Sequence, residues 1–276
     1  MDNVTAPFAR VFRRGFFFLF AQRKTFEVFK TSEVLSECPA SVGMTRCADK
    51  APRVTFSTSS RKHLGKFTFM QNFDRKEHWE KIYGTKSLNE VSWYQPVPTT
   101  SLDMVKLFNL PKDAKIIDVG GGDSLLVDHL LELGYTNVSV LDITENAIER
   151  AMERIGANSQ HVKWIVADAA TYVPNQQYDF WHDRAAFHFL TDKTEVNHYI
   201  QAISKGLKPN GKLVLGTFST DGPLKCSGIE IQKYSEKSIT EMLKPYFEKT
   251  NCFTINHETP SGSKQNFLFC SFQKFH

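Results

Sequence analysis

Lys115 to Thr144 reads KIIDVGGGDSLLVDHLLELGYTNVSVLDIT. A short apolar run, Ile116-Ile117, leads into Asp118-Val119-Gly120-Gly121-Gly122-Asp123-Ser124. Leu125, Leu126, His129, Leu130 and Leu133 then fall mainly on one helical face, and Gly134 offers a stop. A second apolar strand, Val138 to Leu141, ends in Asp142, which lies 20 residues after Gly122. Strand, glycine turn, helix, strand and acid form a unit that binds nucleoside-bearing cofactors at the carboxyl ends of parallel strands. The glycines let backbone pass close to a ligand, and the acid is placed to accept hydrogen bonds from ribose hydroxyls. The dinucleotide fingerprint needs a small residue three positions after its second glycine. With Gly120 and Gly122 as the first two glycines, that position is Leu125, and the fingerprint fails.

Elements of the same kind flank this unit. Upstream, Asn72 to Tyr83 predicts a short helix with Trp79, Ile82 and Tyr83 on one side, ended by Gly84. Trp93-Tyr94 and two prolines follow, and Thr99, Thr100 or Ser101 is placed to cap a helix running to about Leu110. Downstream, a helix is expected from Glu145 to Ile155, capped by Thr144 and stopped by Gly156. Val162 to Val166 reads as a third strand, ending in Ala167-Asp168-Ala169, and Tyr178 to Asp183 as a fourth. Asp192 heads a helix to Leu207, Lys208-Pro209-Asn210-Gly211 makes a turn, and Leu213 to Thr217 is the fifth strand. Ser219 to Tyr234, with Gly222, Pro223 and Gly228, reads as a loop or lid. A helix over Ser235 to Phe247 and a hairpin of Cys252 to Asn256 with Phe267 to Phe272 complete the chain.

Asp118-Val119-Gly120-Gly121-Gly122 resembles motif I of the class I S-adenosylmethionine-dependent methyltransferases, acid-x-Gly-x-Gly, and the resemblance runs over roughly residues 72 to 275. It implies an α/β fold, a doubly wound, mostly parallel seven-stranded sheet with a C-terminal antiparallel hairpin, and S-adenosyl-L-methionine as cofactor. In that family the acid matching Asp118 lies near the methionine moiety. Asp142, beside Ile143, then binds the ribose, and Asp168, beside Ala169, the adenine amine. The segment Trp181-His182-Asp183-Arg184 looks like the Trp-Asp-Arg loop of thiopurine-methyltransferase-like small-molecule enzymes, with His182 interposed. It does not resemble the Asn-Pro-Pro-Tyr signature of amide and adenine methylases, so nucleic-acid bases are not the expected acceptors.

Among the candidates for chemistry, Asp183, His182 and His188 lie in this fourth-strand segment, with Asp183 the first choice for any catalytic role and also a partner for Arg184 or the cofactor's amino group. Alternation along the strand puts Asp183 and Trp181 on the face opposite His182. Trp93 and Tyr94 either cap the sulfonium with their π-faces, an attraction of about 0.5–2 kcal/mol, or pack the entry helix on the sheet. The acceptor is expected among Trp93, Tyr94, His188 and the Ser219–Tyr234 insert.

The 276 residues are 41% hydrophobic and 23% charged, an ordinary globular balance for one domain with an appendage. The net charge of +4 is unevenly placed: residues 1–70 hold 12 Lys/Arg against 5 Asp/Glu, and residues 71–276 hold 22 against 25. The near-neutral body has no electrostatic footprint for nucleic acid. Residues 1–70 are basic, lack acids between Asp2 and Glu27, and turn Ser/Thr-rich at Thr55 to Ser60, which is the composition of an organelle transit peptide. Their apolar run, Gly15 to Ala21, falls far short of the ~20 residues that cross a bilayer. A mitochondrial location is expected, with a cytoplasmic basic arm as the alternative. Five cysteines without paired spacing predict neither a zinc site nor a disulfide framework, and no metal is expected. The expectation is therefore a methyltransferase acting on a small molecule. A protein-lysine methyltransferase of the organelle is the alternative, and a non-catalytic cofactor-binding assembly factor is the rival from another class.

Overall fold

The computed structural model describes residues 73–276; the segment expected to direct import, residues 1–70 with Cys38 and Cys47, lies outside the described residues. A seven-stranded sheet has the order β3-β2-β1-β4-β5-β9-β8. Strands β1 (Lys115–Val119), β2 (Asn137–Asp142), β3 (Val162–Val166), β4 (Tyr178–Arg184) and β5 (Leu207–Phe218) are parallel to one another. The hairpin β8 (Phe247–Glu258) and β9 (Lys264–Lys274) joins antiparallel through β9. Between them, β6 (Lys225–Cys226) and β7 (Ile229–Glu230) form a small separate ribbon inside the insert. Because the chain winds outward from β1 toward β3 and then returns to lay β4 on its other side, the carboxyl ends of β1 and β4 diverge. Such a switch point is where open α/β sheets bind ligands.

The helices are α1 (Arg75–Thr85), α2 (Thr99–Leu107), α3 (Leu126–Glu132), α4 (Glu145–Ile155), α5 (Lys193–Gly206) and α6 (Glu236–Leu243). Strict alternation splits the strands between two cores. Ile117, Val119 and Trp181 face α5 residues such as Tyr199 and Ile203, while Ile116, Val138, Val140 and Phe180 face Val105 of α2 and Leu130 of α3. Asp118 and His182 sit in register across β1 and β4, as do Val119 and Asp183, so each pair shares a face.

Caps follow the sequence at three of the helices. Thr144 accepts from the Ala147 N–H, Asp192 from Thr194 and Glu195, and Ser235 from Ser238. Asp192→Ala should lower stability by removing the cap, read as a fall of the urea midpoint at unchanged slope. At α2 the expected cap is corrected: Thr99 is already helical, Pro98 precedes it without a side-chain bond, and Ser101 is turned inward. Gly84 likewise does not end α1, which runs through Thr85. The turn expected at Lys208 to Gly211 is an excursion within β5: Tyr178 pairs with Leu207 but Phe180 with Lys212, so the extra residues bulge outward, with Asn210 at φ 63°. The absence of a disulfide is corrected as well. Cys252 and Cys270 are bonded, because the β8–β9 register sets them directly opposite each other; spacing in sequence cannot show such a register.

Candidate functional site

The carboxyl ends of β1, β2, β3 and β4 wall a cleft. Its floor is the glycine bend. The Gly120 and Gly121 N–H groups both donate to the Leu141 carbonyl, at 2.8 and 3.2 Å, tying the bend to the end of β2. Gly120 has φ +67°, and a Cβ there would stand 2.5 Å from Ala186 Cβ; Gly122 has φ +42°, and a Cβ there would stand 2.6 Å from Asp142 Oδ2 and 2.8 Å from Tyr83 Oη. Both positions therefore need glycine on conformation and on space.

Asp142 is 4% exposed. Its Oδ1 accepts from the Thr144 N–H and Oγ1–H, both at 3.0 Å, which leaves Oδ2 turned toward the glycine bend and Tyr83. Burial pushes its carboxyl up to about 6, and the Thr144 bonds offset only part of that. Ile143, Ala167, Asp168 and Ala169 continue the wall along β2 and β3. Asp168 accepts two bonds from Arg75 Nη1, at 3.1 Å each, and one from the Ala170 N–H; Arg75 Nη2 also holds Glu195 at 2.7 Å. Arg75 thus ties α1 to both the β3 end and α5.

The roof is aromatic. Trp79 lies edge-on to Phe189 and Trp93, at 4.9 and 5.5 Å between ring centroids, and Tyr83 meets Trp93 at 6.0 Å. Trp93, Gly120 and Arg184 are shared with an adjoining recess, whose wall also includes Tyr94, Ser101, Asp118 and His182. In that recess His182 Nδ1 is hydrogen-bonded to Asp118 Oδ1 at 2.7 Å, and its Nε2 to Ser101 Oγ at 2.9 Å. All three side chains are almost fully buried.

Two candidates from the fourth strand sit elsewhere. Asp183, the first choice for a catalytic role, lies below the cleft and not in its wall. It is fully buried, it accepts from the Ala186 and Phe187 N–H groups at 3.1 Å, and its Oδ2 accepts from Tyr199 Oη–H at 2.6 Å. It makes no pair with Arg184, because alternation points the two to opposite faces. His188, expected beside the acceptor, lies in the interior and not in the cleft wall. It stacks on Phe218 at 4.3 Å, both ring nitrogens lack a partner among the described residues, and burial beside Arg184 pushes it down to about 3. Cys226, the free thiol of the insert, does line the cleft, and burial raises its pKa.

Sequence reasoning missed Arg75 and the role of Ser101, and saw Trp79 and Tyr83 only as a helix face. Arg75 reaches Asp168 and Glu195, 93 and 120 positions away, and Ser101 reaches His182, 81 positions away; a single sequence carries no signal for such pairings. Among the described residues no cluster of His, Cys, Asp or Glu could hold a metal, and no helix is long and apolar enough to cross a membrane.

Residues 116–211 match a family model described as a methyltransferase domain. The chain is 26% identical over 131 residues to the eEF1A lysine and N-terminal methyltransferase of Mus musculus, covering 46% of this chain and 18% of that protein. It is 29% identical over 124 residues to phosphoethanolamine N-methyltransferase 1 of Arabidopsis thaliana, covering 43% and 24%. The chain therefore spans about a quarter or less of these two relatives. Among solved structures, the N-methyltransferase NodS from Bradyrhizobium japonicum WM9, in complex with S-adenosyl-L-homocysteine, superposes with a TM-score of 0.54 at 16% identity, over 73% of this chain and 99% of that one. A SAM-dependent methyltransferase from Methanosarcina mazei gives 0.52 at 21%, over 62% and 97%. These likenesses share the fold.

Proposed function

We propose that the chain, whose residues 116–211 match a methyltransferase domain, binds S-adenosylmethionine and transfers its methyl group to a small-molecule acceptor in the cleft above Gly120. The observation that carries this is the glycine cradle. A Cβ at Gly120 or Gly122 would fill the space between the bend, Ala186 and Asp142, and the unused Asp142 oxygen faces that space. The residues present fit the cofactor. Asp142 would accept from its ribose hydroxyls, Ile143, Asp168 and Ala169 would border its base, and the rings of Trp79 and Trp93 would face its sulfonium. Bound S-adenosylmethionine supplies an electrophilic methyl on sulfur; the chain supplies alignment and an apolar, roofed space.

An acceptor that arrives protonated must lose a proton. Of the three groups considered, His182 is the one that lines the recess next to the glycine bend, and Asp118 supports it from behind. His182→Gln should then lower the rate by about 10²–10⁴-fold while leaving donor affinity unchanged. A loss of donor affinity with an unaltered rate at saturating donor would refute the role.

The test of the function itself is calorimetry of S-adenosylhomocysteine on the intact protein, followed by labelled S-adenosylmethionine with an organelle extract. Label in small solutes supports the proposal, and label in protein bands transfers it to a protein lysine acceptor. Uptake without turnover leaves the non-catalytic assembly factor. For residues 1–70 the composition supports mitochondrial import; a fluorescent fusion of that segment that stays diffuse would overturn it.

Asp142 also sets a pH dependence. Its folded pKa, about 6, lies above the unfolded carboxylate value of about 3.9. The folded state therefore binds this proton more tightly, and the group's contribution to stability is full below about pH 4 and lost as pH rises through 6. Affinity runs the other way, because ribose hydroxyls donate best to the carboxylate. S-adenosylhomocysteine should bind more weakly as pH drops below about 6, and Asp142→Asn should bind weakly at every pH with a flat profile.

A further inference from the structure

The cation that the mechanism above leaves unused is Arg184, at the end of β4. It stands where the cleft and the recess meet. Its Nη1 donates to the Trp93 carbonyl at 3.0 Å, and the guanidinium lies 5.0 Å from the Phe267 ring centroid. Its Nη2 is buried without a hydrogen-bond partner, and among the described residues no carboxylate reaches it within ion-pair distance. Asp118, the carboxylate that acts on it electrostatically, is engaged by His182. The remaining neighbours carry no compensating charge: His188 is held neutral and the Cys226 thiol is held protonated by burial. Burial brings the guanidinium itself down to about 10, the mark of a charge that has lost water and gained little in return.

A charged group whose edge is withdrawn from water is ordinarily paired. A guanidinium presents a planar fork that matches carboxylates and phosphates. The methyl donor worsens the imbalance, since its sulfur brings a second positive charge into the same walled space. We propose that Arg184 is an anion seat: a carboxylate or phosphate of a bound molecule docks on its free Nη2 edge. The inference rests on the methyl-transfer reading and narrows it. The anion has two sources, a negatively charged group on the acceptor or the amino-acid carboxylate of the donor, and both offer the same chemistry to the fork.

Calorimetry on the full-length protein separates them. S-adenosylhomocysteine carries the carboxylate, and 5′-methylthioadenosine is the same nucleoside thioether without it. If the donor supplies the anion, Arg184→Gln weakens S-adenosylhomocysteine by about 10-fold or more and leaves 5′-methylthioadenosine unchanged. If the acceptor supplies it, Arg184→Gln leaves both nucleosides unchanged. Benzoate or inorganic phosphate then binds the protein saturated with S-adenosylhomocysteine, and the substitution abolishes that binding. Arg184→Lys, which keeps the charge, should retain part of either effect, and its melting temperature guards against a folding defect in the glutamine variant. Equal affinities in all proteins for both nucleosides, with no benzoate or phosphate uptake that depends on residue 184, would overturn the seat. Failure of the unaltered protein to bind S-adenosylhomocysteine would instead overturn the donor reading, and the seat would then be decided by the anion titration alone.

Discussion

Gly122→Ala should lower the affinity for S-adenosylhomocysteine by about 100-fold or more while the protein stays folded. The added Cβ would stand 2.6 Å from Asp142 Oδ2 and 2.8 Å from Tyr83 Oη, closer than carbon and oxygen approach without bonding. One of the two must move, and both belong to the cleft. Displacing Asp142 removes the acceptor for the ribose; displacing Tyr83 lifts α1 and the aromatic roof with it. Two or more lost or misplaced hydrogen bonds, one of them to a carboxylate at about 1.5–3 kcal/mol, account for the factor. The conformational strain alone is smaller. An alanine at φ +42° costs about 1 kcal/mol, which for a domain of this size lowers the melting temperature by roughly 2–4 °C. Gly134→Ala gives the comparison. That glycine has φ +84° and nothing within 4 Å of a built Cβ, so it carries the strain without the collision. It should lose similar stability and no affinity. Equal affinities for the two variants would show that the bend does not approach the ligand.

The contrast marks how far a sequence reaches. The glycine bend, the acid after β2 and the succession of strands and helices were legible because each rests on local chemistry: chain reversal, periodicity and capping. The face on which each fourth-strand residue lies was legible too, since alternation separates His182 from Asp183 and the structure keeps that separation. What alternation cannot say is which face opens on a cavity. Asp183 lies on the face covered by α5, whose Tyr199 takes its second oxygen. His182 lies on the face where α2 brings Ser101 from 81 positions away. The same limit hid the Arg75–Asp168 contact, which spans 93 positions, and the Cys252–Cys270 bond, which depends on the pairing register of two strands. Charge balance was legible only as a total. That the half-buried Arg184 would keep one guanidinium edge buried without an acid could be seen only once its neighbours were fixed.

Asp183→Ala should be the most destabilising single substitution at the site, by about 3–5 kcal/mol, without touching the cleft wall. The carboxylate satisfies three buried donors at once: the Ala186 and Phe187 N–H groups and the Tyr199 hydroxyl. Alanine leaves all three without a partner in a space too tightly packed for easy relaxation, beside Trp181, whose indole N–H also reaches Tyr199 at 3.2 Å. The turn from Ala185 to Phe189 loses its anchor, and Gly120 packs directly against that turn. Asp183→Asn is the discriminating partner. Its amide oxygen can still accept from the backbone, and its amino group can donate to the Tyr199 oxygen, so most of the stability should return. Burial already raises the native carboxyl to about 6, so asparagine also removes the charge that the folded state disfavours. The gain should grow as pH rises through 6, because the native group binds its proton more tightly folded than unfolded. Turnover in Asp183→Asn should stay within a few-fold of the unaltered protein, as a buttress requires. If instead Asp183→Asn folds with an unchanged melting temperature and loses methyl transfer by several orders of magnitude, the carboxylate acts on the reacting atoms, and the assignment of that role to His182 falls with it.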